Sequence, residues 1–396
     1  MNQSDFIRWE EGGQTCSAIW HSENGIVPHK KVVTADDTLT ADDAYHLACE
    51  STAIIWRGDF QDARQLLQAL VRRIDKPSKK SKRAGKRVDK SVEATPKKTA
   101  KDIFNQHRLA QSQRARILGM LLIQCNPDHT ISLRRAPYFS QACREAYGAV
   151  TQSYVVSLRE LLGVVSAYEW RKNGLPILAD ENGEPVFVHP DYGVFSPVRG
   201  ECIELVCNAP LPEALDADSM AFDVGVGTGV LSIILAMRGI QKIIATDQDD
   251  RALACAKENI ALLNLGLQIE IVKVNLFPAG KASLIVCNPP WVPARPSSTL
   301  EHAVYDPESY MLKGFLAGLK DHLSPKCEAW LILSDLAEHL ELRTRQELLS
   351  WIEAAGLIVL GRIDTKPKHP KLGDETKLLY FARAAETTSL WRLSIK

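Results

Sequence analysis

The chain has 396 residues, of which 45% are hydrophobic, so it can bury a sizeable core and is long enough for two or three domains. No window carries eighteen uninterrupted apolar residues, which excludes an obvious membrane-spanning helix. The formal net charge is zero, but the charge is unevenly spread. The stretch from Arg72 to Lys101 holds thirteen basic residues against three acids (Asp75, Asp89 and Glu93), so the remainder is net acidic by ten charges. The polar start Met1-Asn2-Gln3-Ser4-Asp5 lacks the basic head and apolar body of a secretory signal, and a cytoplasmic location is expected. The nine cysteines form no Cys-x-x-Cys pair and no Cys/His set with zinc spacing. They are expected to be reduced thiols, and no metal site is expected.

In chain order, 36–74 reads as helical. Phe60, Ala63, Leu66, Leu67, Leu70, Val71 and Ile74 recur at helical spacing and Pro77 ends the pattern. Pro77 to Thr99 has almost no large apolar residue besides Val88 and Val92, so it is expected to be a disordered basic insertion, spanning about 75–101. Helical patterns resume over 102–122 and 140–170. The expectation is an N-terminal, mainly helical region over 1–175.

From Pro176 turn formers appear around Val186-Phe187-Val188, and then apolar strands and amphipathic helices alternate. Strands are expected at 221–224, 242–246, 268–274, 282–287, 329–333, 357–363 and 377–382. Helices are expected at 229–238, 249–263, weakly at 276–279, and at 309–322 and 336–355. Such alternation makes an α/β unit with a parallel sheet covered on both faces. The helix-free end suggests a final antiparallel strand. The second domain is expected over 176–396.

Two segments carry chemistry. Asp223-Val224-Gly225-Val226-Gly227-Thr228-Gly229 joins a strand to a helix. Its glycines permit a tight turn and close backbone approach to a ligand. About twenty residues on, Asp247 ends the next strand, where a carboxylate can accept from both ribose hydroxyls or cap the following helix. The second segment is Asn288-Pro289-Pro290-Trp291, after the apolar run Leu284-Ile285-Val286-Cys287. Its prolines fix the backbone and withhold N–H donors. The Asn288 side-chain oxygen and the Pro289 carbonyl can then both accept from one planar –NH₂ group, and Trp291 can offer a flat face. Cys287 sits in an apolar strand with no adjacent base and reads as packing.

The two segments in this order, about sixty residues apart, resemble class I methyltransferases that carry Asn/Asp-Pro-Pro-aromatic. These include adenine-N6 and guanine-N2 RNA or DNA methyltransferases and HemK-type glutamine methyltransferases. Val194-Phe195-Ser196-Pro197 resembles the HemK-type segment ahead of the first strand, although Arg199-Gly200-Glu201 and Trp291 depart from that pattern. The resemblance covers roughly Gly193 to Ala385. It implies a class I (Rossmann-like) seven-stranded sheet, S-adenosylmethionine (SAM) as cofactor, and methyl transfer to a planar nitrogen. Asn275 stands where the family often has an acid that contacts the adenine amino group. The expected cofactor residues are therefore Asp223, Gly225, Gly227, Gly229, Asp247, Asn275 and Asn288. The expected catalytic residues are Asn288, Pro289 and Trp291.

The expected substrate lies in the translation machinery, either a protein glutamine or an RNA base. The Arg72–Lys101 segment suits RNA contact, or serves as a solubilising linker. The basic loop Asp364–Gly373 suits a phosphate or acidic surface, or is a solvated loop. A methyltransferase-like RNA-binding assembly factor is the competing reading of another class.

Overall fold

The computed structural model describes residues 6–76, 98–180, 182–197, 200–296, 299–367 and 380–396. The chain divides into two compact units, Met1–Lys98 with Asn105–Tyr168, and Thr99–Phe104 with Glu169–Lys396. Most of the basic insertion lies outside the described residues, as do residues 368–379.

The first unit is not mainly helical, which corrects the expectation. Its strands are β1 (Phe6–Glu11), β2 (Gln14–Trp20), β3 (Lys31–Ala35), β4 (Thr52–Trp56), β5 (Leu121–Cys125) and β6 (Tyr154–Ser157), interleaved with α1 (Ala41–Cys49), α2 (Phe60–Ile74), α3 (Ala100–Leu118), α4 (Ser140–Tyr147) and α5 (Leu158–Asn173). The strands form one sheet in the order β1-β2-β6-β5-β4-β3. The helical spacing of Phe60–Ile74 is real, and Asp59 caps that helix by accepting from the Gln61 N–H. β4, β5 and β6 escape a periodicity reading because they are short and buried on both faces. Ile54, Trp56, Leu121 and Ile123 pack on one side with Phe60 and Leu70, while Ile55 and Leu122 pack on the other with Ile7 and Trp9. A doubly buried strand reads as a continuous apolar run, and here each run abuts a helical pattern.

The second unit begins with the hairpin β7 (Leu175–Ala179) and β8 (Pro185–Val188), then α6 (Glu201–Asn208). Its main elements follow as β9 (Met220–Val224), α7 (Val230–Met237), β10 (Lys242–Asp247), α8 (Asp250–Leu262), β11 (Ile269–Lys273) and β12 (Ala282–Cys287). They continue with α9 (Tyr310–His322), β13 (Leu323–Ser334), α10 (Leu336–His339), α11 (Arg345–Ala354), β14 (Leu357–Thr365), α12 (Tyr380–Ala385) and β15 (Thr388–Ile395). The sheet order is β11-β10-β9-β12-β13-β15-β14. β9 to β13 pair in parallel, and β15 is antiparallel to both neighbours. This seven-stranded sheet is the class I methyltransferase arrangement. Alternate residues of each strand feed the two faces: Ala221, Ile243 and Leu284 pack with α7 and α8, and Phe222, Ile285 and Leu331 pack with α9.

Three details differ from expectation. The last strand is Thr388–Ile395, and the apolar Tyr380–Ala385 stretch is a helix. The helix expected over 336–355 is two, because Thr344 and Glu347 form a reciprocal capping box that starts a second one. No helix forms at 276–279, where Leu276 has a φ of 67°.

The antiparallel strand is clamped by charge. Buried Glu328 on β13 takes a two-pronged contact from Arg392 on β15 (2.8 and 2.5 Å) and a bond from the Trp330 indole N–H (3.1 Å). Removing one partner strands a buried carboxylate. Arg392→Met is expected to lower unfolding free energy by about 3 kcal/mol in denaturant titrations, and adding Glu328→Gln is expected to recover part of it. A loss below the scatter of the titration would contradict the clamp.

Candidate active site

The glycine turn is built at the carboxyl edge of β9, where open α/β sheets bind ligands. The N–H groups of Gly225 and Val226 both donate to the Thr246 carbonyl (2.9 and 2.8 Å), which pins the turn to β10. Gly227 has a φ of 52°, and a Cβ there would meet nothing within 4 Å, so the turn passes beneath open space. Gly225 (φ 85°) leaves no such room: a Cβ would lie 2.8 Å from Met311 Cε. Gly229 (φ 85°) ends the turn as the N-cap of α7.

Two carboxylates and one buried amide hold this edge. Asp223 is fully buried, and its Oδ2 accepts from the Ser232 N–H (3.0 Å) and hydroxyl (2.6 Å). Its Oδ1 and the Thr228 hydroxyl have no partner among the described residues. Burial pushes the Asp223 carboxyl up to about 7. Asp247 is half-buried; its Oδ2 accepts from the Gly227 N–H (3.3 Å) and its Oδ1 from the Asp249 N–H (3.0 Å). Each of these oxygens keeps a further lone pair. Burial raises its pKa as well. Asn259, buried on α8, donates to the Thr228 carbonyl (3.0 Å) and accepts from the His189 N–H (2.7 Å), joining the turn to the segment that leads to Val194. Asn275 is exposed just past β11.

The second motif is brought alongside the first by strand register. Cys287 on β12 pairs with Val224 on β9, so Asn288 and Gly225 leave neighbouring strands together. The Trp291 indole N–H donates to Asn288 Oδ1 (2.9 Å), and the half-buried ring packs into the surrounding apolar clusters. An indole N–H needs an acceptor, so it fixes which way the amide faces. Pro289 is buried. The chain then folds back: Val292 N–H donates to the Val304 carbonyl, and the Asp306 N–H to the Val292 carbonyl (2.9 Å). The Asp306 carboxylate accepts from the N–H groups of Met311 (3.0 Å) and Leu312 (3.1 Å) and so caps α9. This cap holds Glu308 and Ser309 at φ values of 57° and 56°, a left-handed pair that costs on the order of 1–2 kcal/mol per residue. Burial drives the Cys287 thiol well above its usual range, in keeping with packing.

Asn259, Asp306, Ser232 and Thr228 were not legible as site residues. The available signal was weak: an Asn within the buried stripe of α8, and an Asp-Pro before a helix. Of the loop Asp364–Gly373, only 364–367 lies among the described residues.

Comparisons place the same region. The family described as ribosomal protein L11 methyltransferase (PrmA) matches residues 202–292. The ribosomal protein L11 methyltransferase of Clostridium perfringens (strain SM101 / Type A) is 29% identical over 140 residues, 31% of this chain and 44% of that protein. That of Clostridium botulinum (strain Eklund 17B / Type B) is 39% identical over 85 residues, 21% of this chain and 27% of that protein. The solved ribosomal protein L11 methylase of Lactobacillus delbrueckii subsp. bulgaricus aligns with 18% identity and a TM-score of 0.37, covering 55% of this chain and 91% of that one. The chain thus spans less than half the length of the curated relatives it matches. The second unit has a class I methyltransferase fold, and SAM is the cofactor that goes with it. The open space over Gly227 and the unspent Asp223 and Thr228 oxygens fit a ligand that is polar and lies close to the backbone.

Asp223 generates a pH test. Its pKa in the folded chain, about 7, lies above its ordinary 3.8. A raised carboxyl favours folding while protonated, so its contribution is full below about pH 4 and is lost as pH rises towards 7. Relative to Asp223→Asn, the wild-type chain is expected to lose stability over that window, by up to about 4 kcal/mol, and to run parallel above it. Denaturant unfolding from pH 4 to 8 checks this; parallel curves throughout would rule out a raised Asp223.

Proposed function

We propose that this chain is a SAM-dependent N-methyltransferase acting on a planar amide or amino nitrogen of a protein in the translation machinery. The observation that carries the reading is the register that sets Asn288 beside Gly225, with its amide oxygen oriented by Trp291. When bound, the cofactor supplies an electrophilic methyl group on a sulfonium. The chain's residues bind and orient. Asp247 accepts from the ribose hydroxyls with its remaining lone pairs, and Asn275 accepts from the adenine amino group. Gly227 lets the backbone approach, Gly225 makes room for Met311, Gly229 starts α7, and Asp223 holds the turn through Ser232. On the acceptor side, the second lone pair of Asn288 Oδ1 and the Pro289 carbonyl take the two hydrogens of the nitrogen. That aims its lone pair at the methyl group and stabilises the positive charge that develops. The proton then leaves to solvent, and no strong base is needed.

A protein acceptor is supported by relatives named for a ribosomal protein and by the Asn-Pro-Pro-aromatic order shared with glutamine methyltransferases. The basic Arg72–Lys101 segment favours a second reading, an adenine or guanine amino group in ribosomal or transfer RNA.

Calorimetry and labelled-methyl transfer to ribosomal protein and RNA fractions test this. Asp247→Ala is expected to weaken SAM binding by about tenfold or more. Asn288→Ala is expected to lower turnover by about a hundredfold or more while SAM affinity changes little. Label in RNA alone supports the second reading. An Asn288→Ala chain that keeps full function in cells points instead to an assembly factor.

A further inference from the structure

We propose that the Nε–Nη2 edge of Arg343 is a seat for a carboxylate on the acceptor protein, an inference that rests on the methyltransferase reading. Arg343 lies in the loop between α10 and α11, beyond the carboxyl end of β13, and its own N–H anchors that loop to the Ala337 carbonyl (3.3 Å). The residue is only 3% exposed. Its Nε and Nη2 are buried without a hydrogen-bond partner among the described residues. A guanidinium cannot shed its proton at working pH, and a buried charge left unpaired costs several kcal/mol. Asp306, Glu338 and Glu347 lie close enough to attract the charge, but none makes a hydrogen bond to either nitrogen. The two oxygens of Asp306 accept from the Met311 and Leu312 N–H groups. Glu338 pairs with Arg345 (2.8 Å), and Glu347 is engaged in the capping box with Thr344.

The free edge has a defined chemistry. Elsewhere in this chain the same two nitrogens grip both oxygens of a carboxylate: Arg57 on Glu11 (2.8 and 2.7 Å) and Arg392 on Glu328 (2.8 and 2.5 Å). Arg343 offers that fork with no carboxylate on it. Such a pair is strongest where water is excluded.

Strand order selects the source. The cofactor elements run from β9 towards β10 and β11, through the glycine turn, Asp247 and Asn275. Arg343 lies the other way, past β12 and Asn288, beyond β13. Asp306 links it to the second motif, being bonded to Val292 through its backbone and close enough to Arg343 for mutual attraction. The carboxylate therefore belongs to the acceptor rather than to the cofactor. A nucleic-acid phosphate also fits the fork in shape, but it would bring a polyanion past Asp306, Glu338 and Glu347. A single carboxylate close to the methylated nitrogen suits the surroundings better.

The test uses the full chain with SAM bound, glutarate as the carboxylate probe and inorganic phosphate as the control at matched ionic strength. Glutarate is expected to raise the thermal midpoint of wild type by several degrees and to leave Arg343→Gln and Arg343→Met unmoved. Both variants are expected to bind SAM within about twofold of wild type. Without probe, Arg343→Met is expected to hold or raise the midpoint, because it removes two buried donors that lack hydrogen-bond partners. A response to phosphate alone would assign the seat to a nucleic-acid backbone and overturn the proposal. An equal glutarate response in the variants, or none in wild type, also overturns it. A tenfold loss of SAM affinity in Arg343→Gln would give the carboxylate to the cofactor, and a large drop in the Arg343→Met midpoint would make the arginine structural. Failure of wild type to bind SAM appears before any probe is added and sinks the cofactor reading itself.

Discussion

Buried carboxylates that accept backbone N–H groups hold the working edge of this protein together. Asp223 ties β9 to the first turn of α7, Asp247 ties β10 to the glycine turn, and Asp306 caps α9. Each lies where burial raises its pKa, so each trades desolvation for hydrogen bonds that fix a loop. The left-handed pair Glu308 and Ser309 exists because the Asp306 cap overrides local preference. Met311, placed by that cap, abuts Gly225. The two motifs are thus held by one connected set of backbone contacts, and shifting any of the three carboxylates moves both.

These acids also set the electrostatics. The Asp247 charge contributes to raising Asp223, which is the behaviour of like charges gathered at one edge. On the proposed reading the edge favours a cationic ligand, and a sulfonium loses its positive charge when its methyl group leaves. Attraction is then greater before transfer than after it, so the field that holds the cofactor also favours release of the spent one. Beyond β13, Arg343 keeps two buried nitrogens without a hydrogen-bond partner among the described residues.

The second sheet was legible because glycine, proline and capping residues punctuate it at nearly every boundary. The turn from Gly225 to Gly229 and the stop at Asn288-Pro289 each fall at a strand end. Where punctuation is absent, the reading failed. Tyr154-Val155-Val156 runs almost directly into a helix, only Arg57-Gly58-Asp59 separates Ala53-Ile54-Ile55-Trp56 from one, and each strand lies buried on both faces, so nothing alternates. Thr388–Ile395 was missed because Trp391 and Leu393 serve one face and Leu390 the other, which leaves an apolar run without a clean period-two signature. Asn259 and Arg343 could not be found at all, because their meaning is carried by partners dozens of residues away, or by the lack of one.

Unspent polar atoms are the remaining guide to what the fold is for. Native interiors satisfy nearly every buried donor and acceptor. Asp223 Oδ1, Thr228 Oγ1 and the two Arg343 nitrogens stay unsatisfied among the described residues on the edge that carries the two motifs, as do Gln268 Oε1 and Thr388 Oγ1 elsewhere in the second unit. Asp223 lies in β9 and Thr228 just past it, and Arg343 lies beyond the carboxyl end of β13. A carboxylate oxygen and a hydroxyl, which can accept or donate, stand on the glycine-turn side and two donors on the far side. A ligand set that meets them is polar and positive at one end and bears an anion at the other. On the proposed reading, a cationic cofactor opposite an acceptor with a carboxylate has that arrangement, with the acceptor nitrogen between them at Asn288.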